Sequence, residues 1–403
     1  MNRWTKDILL ALATALSFSA FIYLEHYGLT NRLANTLLAL TALALLLYIP
    51  KRSVALAGFG IGLLWFYWVG YSFKYQELGF MEPLVTLAFG LLYTLYFLPL
   101  ALTTHPWLRA LFLFGLSFIA PLDWNWMQPE LLFVNSYIGI YKYQFAIVLI
   151  ALSLPSLITH RQLRYLPLIL LLGALNLNGY HQPPNAPLAI KLVTTDIKQE
   201  KKWQPEALYP TIAMVLAEIN KAIAQKADVV VLPESVLPLF LNHAPQLLAR
   251  LQKLSDSITI VTGALLDEDG KNYNVTYIFQ NGNYTIAKKL VLVPFGEYIP
   301  LPKFAQKFVN DTFFGGASDF LTAKEPTDFF IKKIKFRNAI CYEATTQKIY
   351  QGDVKYIIAI SNNAWFAPSI EPTLQKLLLE YYARKNGVVI YHAANYKGSG
   401  VIR

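Results

Sequence analysis

A single cysteine, Cys341, is all the thiol these 403 residues carry, so no internal disulfide is possible and the thiols say nothing of redox compartment. Six histidines lie scattered at 26, 105, 160, 181, 243 and 392 without HxxxH or HExxH spacing, which argues against a structural or catalytic zinc site. Charge is scarce at the start. Residues 1–180 hold ten Lys/Arg and six Asp/Glu, about 9% of that stretch, against about 20% for residues 181–403. The second value is near that of an ordinary soluble domain. The net charge of +10 invites a nucleic-acid partner, but the basic residues gather on no one arm or run, so none is expected.

Apolar sequence fills the charge-poor part. A hydrocarbon core of about 30 Å needs roughly 20 apolar residues of helix. Seven stretches fit or approach this: 8–24, 33–50, 53–73, 83–103, 106–121, 143–158 and 163–179. The first lacks the cleavage site of a signal peptide, and the fifth and sixth are short. With the N-terminus in the cytoplasm, inner segments carry Arg3, Lys6, Lys51, Arg52, Arg109, Arg161 and Arg164, whereas outer loops carry Arg32, Lys74 and Lys142. That excess inside sets the orientation, and seven crossings put the polar part outside, in a bacterium the periplasm. The run "GFGIG" at 58–62 lies inside an apolar stretch, where small residues serve helix packing rather than phosphate binding. The aromatic loop 122–142 suits an interfacial belt, or an amphipathic segment lining a lipid entry.

From residue 187 onward, short β-rich runs alternate with helical ones, which predicts a layered α/β domain. Strands are expected at 188–195, 228–233, 258–265, 274–280, 284–293, 328–341, 356–361 and 388–393. Helices are expected at 206–226, 244–254, 343–351 and 371–386. "NVT" at 274–276 fits a glycosylation sequon, a weak signal. In open α/β sheets chemistry collects beyond the carboxyl ends of strands. Four strand ends carry polar or ionisable residues there: Glu234 in "LPES", Lys289 and Glu297 around "VLVPFGE", Cys341 and Glu343 in "ICYE", and Asn362 and Trp365 in "SNNAWF".

Each has a bland reading. Glu234 could be a carboxylate at a helix N-terminus, Lys289 a solvated strand residue and Cys341 a buried apolar filler. Together they supply a thiol, a carboxylate base and an ammonium, a full set for acyl transfer. The thiol needs a base because at its free pKa of about 8.5 it is mostly protonated. The carboxylate can take that proton, and the ammonium can stabilise the oxyanion of a tetrahedral intermediate.

"LPES", "K-x-V-L-V-P-F-G-E-Y-I-P" and "ICYE" resemble the Glu-Lys-Cys motifs of the nitrilase, or carbon–nitrogen hydrolase, superfamily. With "VPFGEYIPL", "SNNAWF" and the helical prefix, the chain is similar over nearly its whole length to the apolipoprotein N-acyltransferase family within it. The resemblance implies a multi-helix transmembrane domain over 1–180 plus an α/β nitrilase-like layered sandwich (αββα) over 187–403, periplasmic, on a multi-pass protein of the bacterial inner membrane. It implies that Cys341 takes an acyl chain from a phospholipid as a thioester. The α-amino group of a diacylglyceryl-apolipoprotein's N-terminal cysteine then accepts it. Glu234 would be the general base and Lys289 the oxyanion stabiliser, with Glu343, Tyr342 and Glu297 in support. Trp203, in "KKWQP", would sit on a loop over the lipid site, and Asn362 and Trp365 would contact substrate. No metal or organic cofactor is implied, and the enzyme would act as a monomer. Asn363 and Ala367 replace the Asp and Gly that the family usually has. Because the family normally continues past "GSGVIR" into further strands and a last helix, the chain is expected to be shortened there. A membrane-anchored amidase or nitrilase, finishing the same chemistry with water, is the alternative. A transporter would need charges within the spans, and these hold almost none.

Overall fold

A computed structural model describes residues 2–76, 78–294, 296–298 and 320–403. Of the "VPFGEYIPL" block, Phe295 and residues 299–301 lie outside the described residues. The chain divides into two compact units, Met1–Tyr180 and His181–Arg403.

Among the described residues, six α-helices build the first unit: α1 Arg3–His26, α2 Arg32–Tyr48, α3 Lys51–Phe66, α4 Met81–Ala101, α5 Pro106–Leu116 and α6 Lys142–Ser153. Asn2 and Asn31 start α1 and α2 by accepting from Thr5 N at 2.8 Å and Ala34 N at 3.0 Å, which satisfies amides the helix itself cannot. A 3-10 stretch carries α3 on to Gln76. Arg3–His26, Lys51–Tyr75 and Met81–Ala101 are long and apolar enough to cross a membrane. Leu12, Leu16, Leu91 and Leu95 stand more than half exposed on α1 and α4, as a lipid-facing surface requires.

"GFGIG" is a packing seam. A Cβ on Gly62 would lie 2.5 Å from Phe89 O, and one on Gly58 2.7 Å from Tyr93 O, so α3 and α4 can close up only on glycine. Two expectations change. The stretch 163–179 is no α-helix: it turns at 161–165 and runs as a 3-10 segment, Leu166–Ala174. At about 2 Å per residue that is well short of a bilayer. Nor is the loop 122–142 a surface belt. Trp124, Trp126, Met127 and Leu131 to Phe133 are buried, with Trp124 against Phe66 and Phe89 at ring distances of 5.7 and 5.6 Å. Pulling those rings into the protein core buries more apolar area than an interface would.

Among the described residues, the second unit stacks two five-stranded sheets. The first holds β1 Ile190–Leu192, β2 Val229–Val231, β3 Thr259–Glu268, β4 Lys271–Gln280 and β5 Asn283–Lys288 in that order. β6 Asp328–Ile331, β7 Ile334–Ile340, β8 Tyr356–Asn362, β9 Val389–Asn395 and β10 Gly400–Ile402 form the second in order 10-9-8-7-6. Each pairs three strands in parallel and the rest antiparallel. Val229, Val231 and Val261 from the first sheet meet Ile340, Ile358, Ile360 and Tyr391 from the second in one core. Val230, Ile260 and Tyr277 point the other way, onto α8 Pro205–Ala224 and α9 Pro245–Leu254. α10 Glu371–Asn386 buries Leu374, Leu377, Leu378 and Tyr381 beside the second sheet. The layers are therefore αββα, as the resemblance implied, and strands buried on both faces explain uninterrupted runs such as "VVVL". α8 also meets the length and composition of a span, but its apolar stripe Val215, Leu216, Ile219 and Ala222 is spent on the sheet.

Three expected elements differ. The strand 328–341 is a hairpin that turns at Lys332 and Lys333, both at positive φ, 46° and 68°. The strand 284–293 leaves the sheet after Lys288. The helix 343–351 is two 3-10 turns, Cys341–Thr345 and Gln347–Tyr350.

Candidate active site

Glu234 follows β2 on a turn that presses against β3. Ser235 sits at φ 46°, and a Cβ on Gly263 of β3 would come within 2.3 Å of Ser235 N. Glycine is what lets the turn approach, so "VTGAL" positions "LPES". The Glu234 carboxylate is buried and held at both oxygens. Oε1 accepts from Asn274 Nδ2 at 2.8 Å and from Lys289 Nζ at 3.4 Å, and Oε2 accepts from Asn362 N at 2.9 Å. Burial works to raise its pKa, but the Lys289 charge, the Asn274 amide and the Lys202 charge outweigh this and hold it below the usual carboxylate range. It rests ionised.

Lys289 stands where the chain leaves β5, 1% exposed, and bonds Glu297 Oε1 at 2.8 Å as well as Glu234. Burial opposes its charge, yet the Glu297 and Glu234 carboxylates hold the ammonium above its ordinary value. Glu297 is itself anchored, its Oε2 accepting from Val293 N at 2.9 Å.

Cys341 follows β7 at φ 54°, a backbone state rare outside glycine, and opens a 3-10 turn. A sharp strand-to-helix turn of this kind lifts a nucleophile clear of its neighbours. Partly open to solvent, the thiol feels Glu234 and Lys289. Burial and the Glu234 charge push it well above its ordinary value, with Lys289 pulling the other way, so at rest it is a neutral thiol.

Glu343 ties the cysteine turn to the lysine loop. Its Oε1 accepts from Ile340 N at 2.6 Å, and its Oε2 from Leu290 N at 2.6 Å and Val291 N at 3.2 Å. Burial pushes its carboxyl up to about 7 against those three bonds. Tyr342 is buried beside it.

Of the residues expected to contact substrate, Trp203 is 48% exposed on the turn after α7, Gln199–Lys202. Asn362 is buried, its N–H given to Glu234. Its side-chain amide donates to Gln199 Oε1 at 2.9 Å and accepts from Asn395 Nδ2 at 2.8 Å, beside Trp365 Nε1 and Lys202 Nζ. Among the described residues no cluster of His, Cys, Asp and Glu is arranged to hold a metal ion.

Sequence reasoning missed four groups. Asn274 is buried against Glu234, so the first residue of "NVT" is a site residue and not a surface acceptor. Its signal was an amide opening an apolar strand. Lys202, fully buried, donates to Glu234 O at 3.1 Å, and burial lowers its ammonium to about 8. Gln375 of α10 reaches Cys341 Sγ at 3.9 Å. Glu371, at the first turn of α10, is a buried carboxyl raised well above its ordinary value by burial and by Glu234.

Residues 5–177 match the apolipoprotein N-acyltransferase integral membrane domain, and residues 190–400 match the carbon–nitrogen hydrolase family. Apolipoprotein N-acyltransferase of Wolinella succinogenes is 44% identical, over 98% of this chain and 96% of the relative. That of Helicobacter hepaticus is 37% identical over 96% and 98%, and that of Helicobacter pylori 35% over 97% and 95%.

Proposed function

The chain belongs to the apolipoprotein N-acyltransferase family, and from that premise we propose that Cys341 carries an acyl chain from a phospholipid to the α-amino group of a lipoprotein's N-terminal diacylglyceryl-cysteine. It is a membrane enzyme, an acyltransferase, and its family implies a lipoprotein substrate. Glu234 takes the thiol proton as sulfur attacks the ester carbonyl, and Lys289 with nearby backbone N–H groups stabilises the oxyanion. Lysophospholipid leaves with the proton. The amine then attacks the thioester and Glu234 serves again as base.

One observation carries this reading. The Cys341 thiol, the Glu234 carboxylate and the Lys289 ammonium come from the ends of three strands, with Lys289 bonded to Glu234 and the pair braced by Asn274 and Glu297. Glu343 and Glu297 act by positioning, and Trp203 supplies an exposed apolar ring for a lipid chain. We place the protein in the bacterial inner membrane as a monomer, with its N-terminus cytoplasmic and its catalytic unit periplasmic. The excess of Lys/Arg in the inner segments supports the cytoplasmic N-terminus. The periplasmic catalytic unit rests on the family resemblance, because the stretch 163–179 makes no seventh α-helical crossing.

Incubating the purified enzyme with phospholipid and no acceptor tests the reading. Intact mass should show one acyl adduct that hydroxylamine removes and that Cys341→Ala abolishes. A Cys341→Ala enzyme that still N-acylates lipoprotein would sink it.

A further inference from the structure

Gln375 reaches Cys341 with its amide nitrogen, and the reason lies two contacts away. An amide could turn either end to a sulfur. Here Gln375 Oε1 accepts from Asn363 Nδ2 at 3.0 Å, and the same Nδ2 donates to the backbone carbonyl of Lys397 at 2.9 Å. A carbonyl only accepts, so Asn363 must show it nitrogen, Gln375 must answer with oxygen, and Gln375 Nε2 is left for the sulfur at 3.9 Å. Gly398 leaves room for this, since a Cβ there would lie 3.1 Å from Asn363 Nδ2. Both amides are buried, 1% exposed each.

The sulfur needs such a donor. Glu234, Glu371 and Glu297 all oppose negative charge on it, and Lys289 favours it. Lys289 is also bonded to two of those carboxylates. A neutral amide adds a donor without another charge, and its bond strengthens as sulfur becomes anionic.

Resting on the reading of Cys341 as the acyl-bearing nucleophile, we propose that Gln375 Nε2 is the hydrogen-bond donor to the charged sulfur and that Asn363 is the positioning residue that keeps it turned that way. Sulfur is charged twice in the reaction. In attack the S–H proton passes to Glu234 while the sulfur electron pair forms the C–S bond; the ester C–O bond then breaks, and its pair and that proton leave on the lysophospholipid oxygen. In aminolysis the amine forms the C–N bond, the C–S pair returns to sulfur, and the amine proton returns to sulfur through Glu234.

Because Cys341 is the chain's one cysteine, alkylation reads this thiol directly. The full-length enzyme is treated with iodoacetamide across pH and followed by intact mass. Gln375→Met keeps length and loses the donor. Gln375→Glu keeps the bond to Asn363 and turns an acceptor to the sulfur, and it decides the matter if the methionine variant does not fold. Asn363→Asp presents an acceptor that draws Gln375 Nε2 away. Each should slow alkylation at neutral pH about tenfold and move its midpoint up by about one unit, the glutamate most. Profiles that superimpose on the wild type overturn the proposal. The labelling reports whether or not an acyl chain is ever carried, so a missing acyl adduct would count against the catalytic reading alone.

Discussion

Both units bury charge, and they neutralise it differently. In the first, the buried Arg109 guanidinium is met by the carbonyl of Thr103 and by those of Leu46, Leu47 and Ile49, the last three at and just beyond the end of α2, where a cation suits the helix dipole. Glu130, fully buried, is met by Lys142 at 2.5 Å. Arg109 is met by carbonyls and Glu130 by one ammonium, and neither has a thiol beside it. In the second unit Lys202 and Lys289 share a core with Glu234, Glu297, Glu343, Glu371 and a thiol, and the carboxylates outnumber the ammonium groups. Burial answers by pushing Glu343 and Glu371 toward their neutral forms. Matched buried charge holds a fold, whereas crowded charge with displaced pKa values marks a place where protons move.

Two lysine deletions break the comparison most sharply. Lys289→Met should cut turnover per folded enzyme by at least about 10²–10³, the cost of one oxyanion donor, when acyl transfer is measured at saturating lipid. Lys142→Met also strands a buried glutamate and should cost about 3–5 kcal/mol in denaturant melts, yet leave turnover per folded molecule unchanged. Adding Glu130→Leu should recover most of that stability. A Lys142→Met enzyme that is stable but inactive would erase the distinction.

A smaller effect concerns a group kept neutral. His392 is buried between Ser361 Oγ at 2.8 Å and Gly398 O at 2.9 Å, and burial lowers its pKa to about 4. The unfolded chain takes up a proton near 6.5 that the folded imidazole refuses. Its contribution to stability is therefore full above about 6.5 and is lost as pH falls from there to 4. At pH 5 the loss is about 2 kcal/mol. Urea midpoints at pH 7 and 5 should show this slope in the wild type and a shallower one in His392→Gln.

Much of the fold was legible because its signals are local. Runs without charge marked the helices, β-rich runs between helical ones marked the strands, and Glu234, Lys289 and Cys341 stood at strand ends where their motifs put them. The misreadings share a cause. Lys332 and Lys333 turn a hairpin without the glycine or asparagine that usually announces one, so two strands read as one. The tryptophans of 122–142 looked interfacial by type, and only packing decided that they were core. Asn274 carried only the weak mark of an amide at the start of an apolar run, and Gln375 carried none.

Taken alone, the sequence determined that part of this chain belongs in lipid, that the rest alternates strand and helix, and which three residues could carry the chemistry. Composition and periodicity act between neighbours along the chain, so they survive in one dimension. Tertiary structure alone decided what holds those three in place. Glu234 and the Asn362 amide that steadies it are 128 residues apart, and Asn363, Gln375 and Cys341 come from three different elements. Such contacts depend on how two sheets stack and where α10 lands, and no spacing in the sequence encodes that. The same stacking placed the chain's lone thiol under an amide whose orientation is set by a single backbone carbonyl.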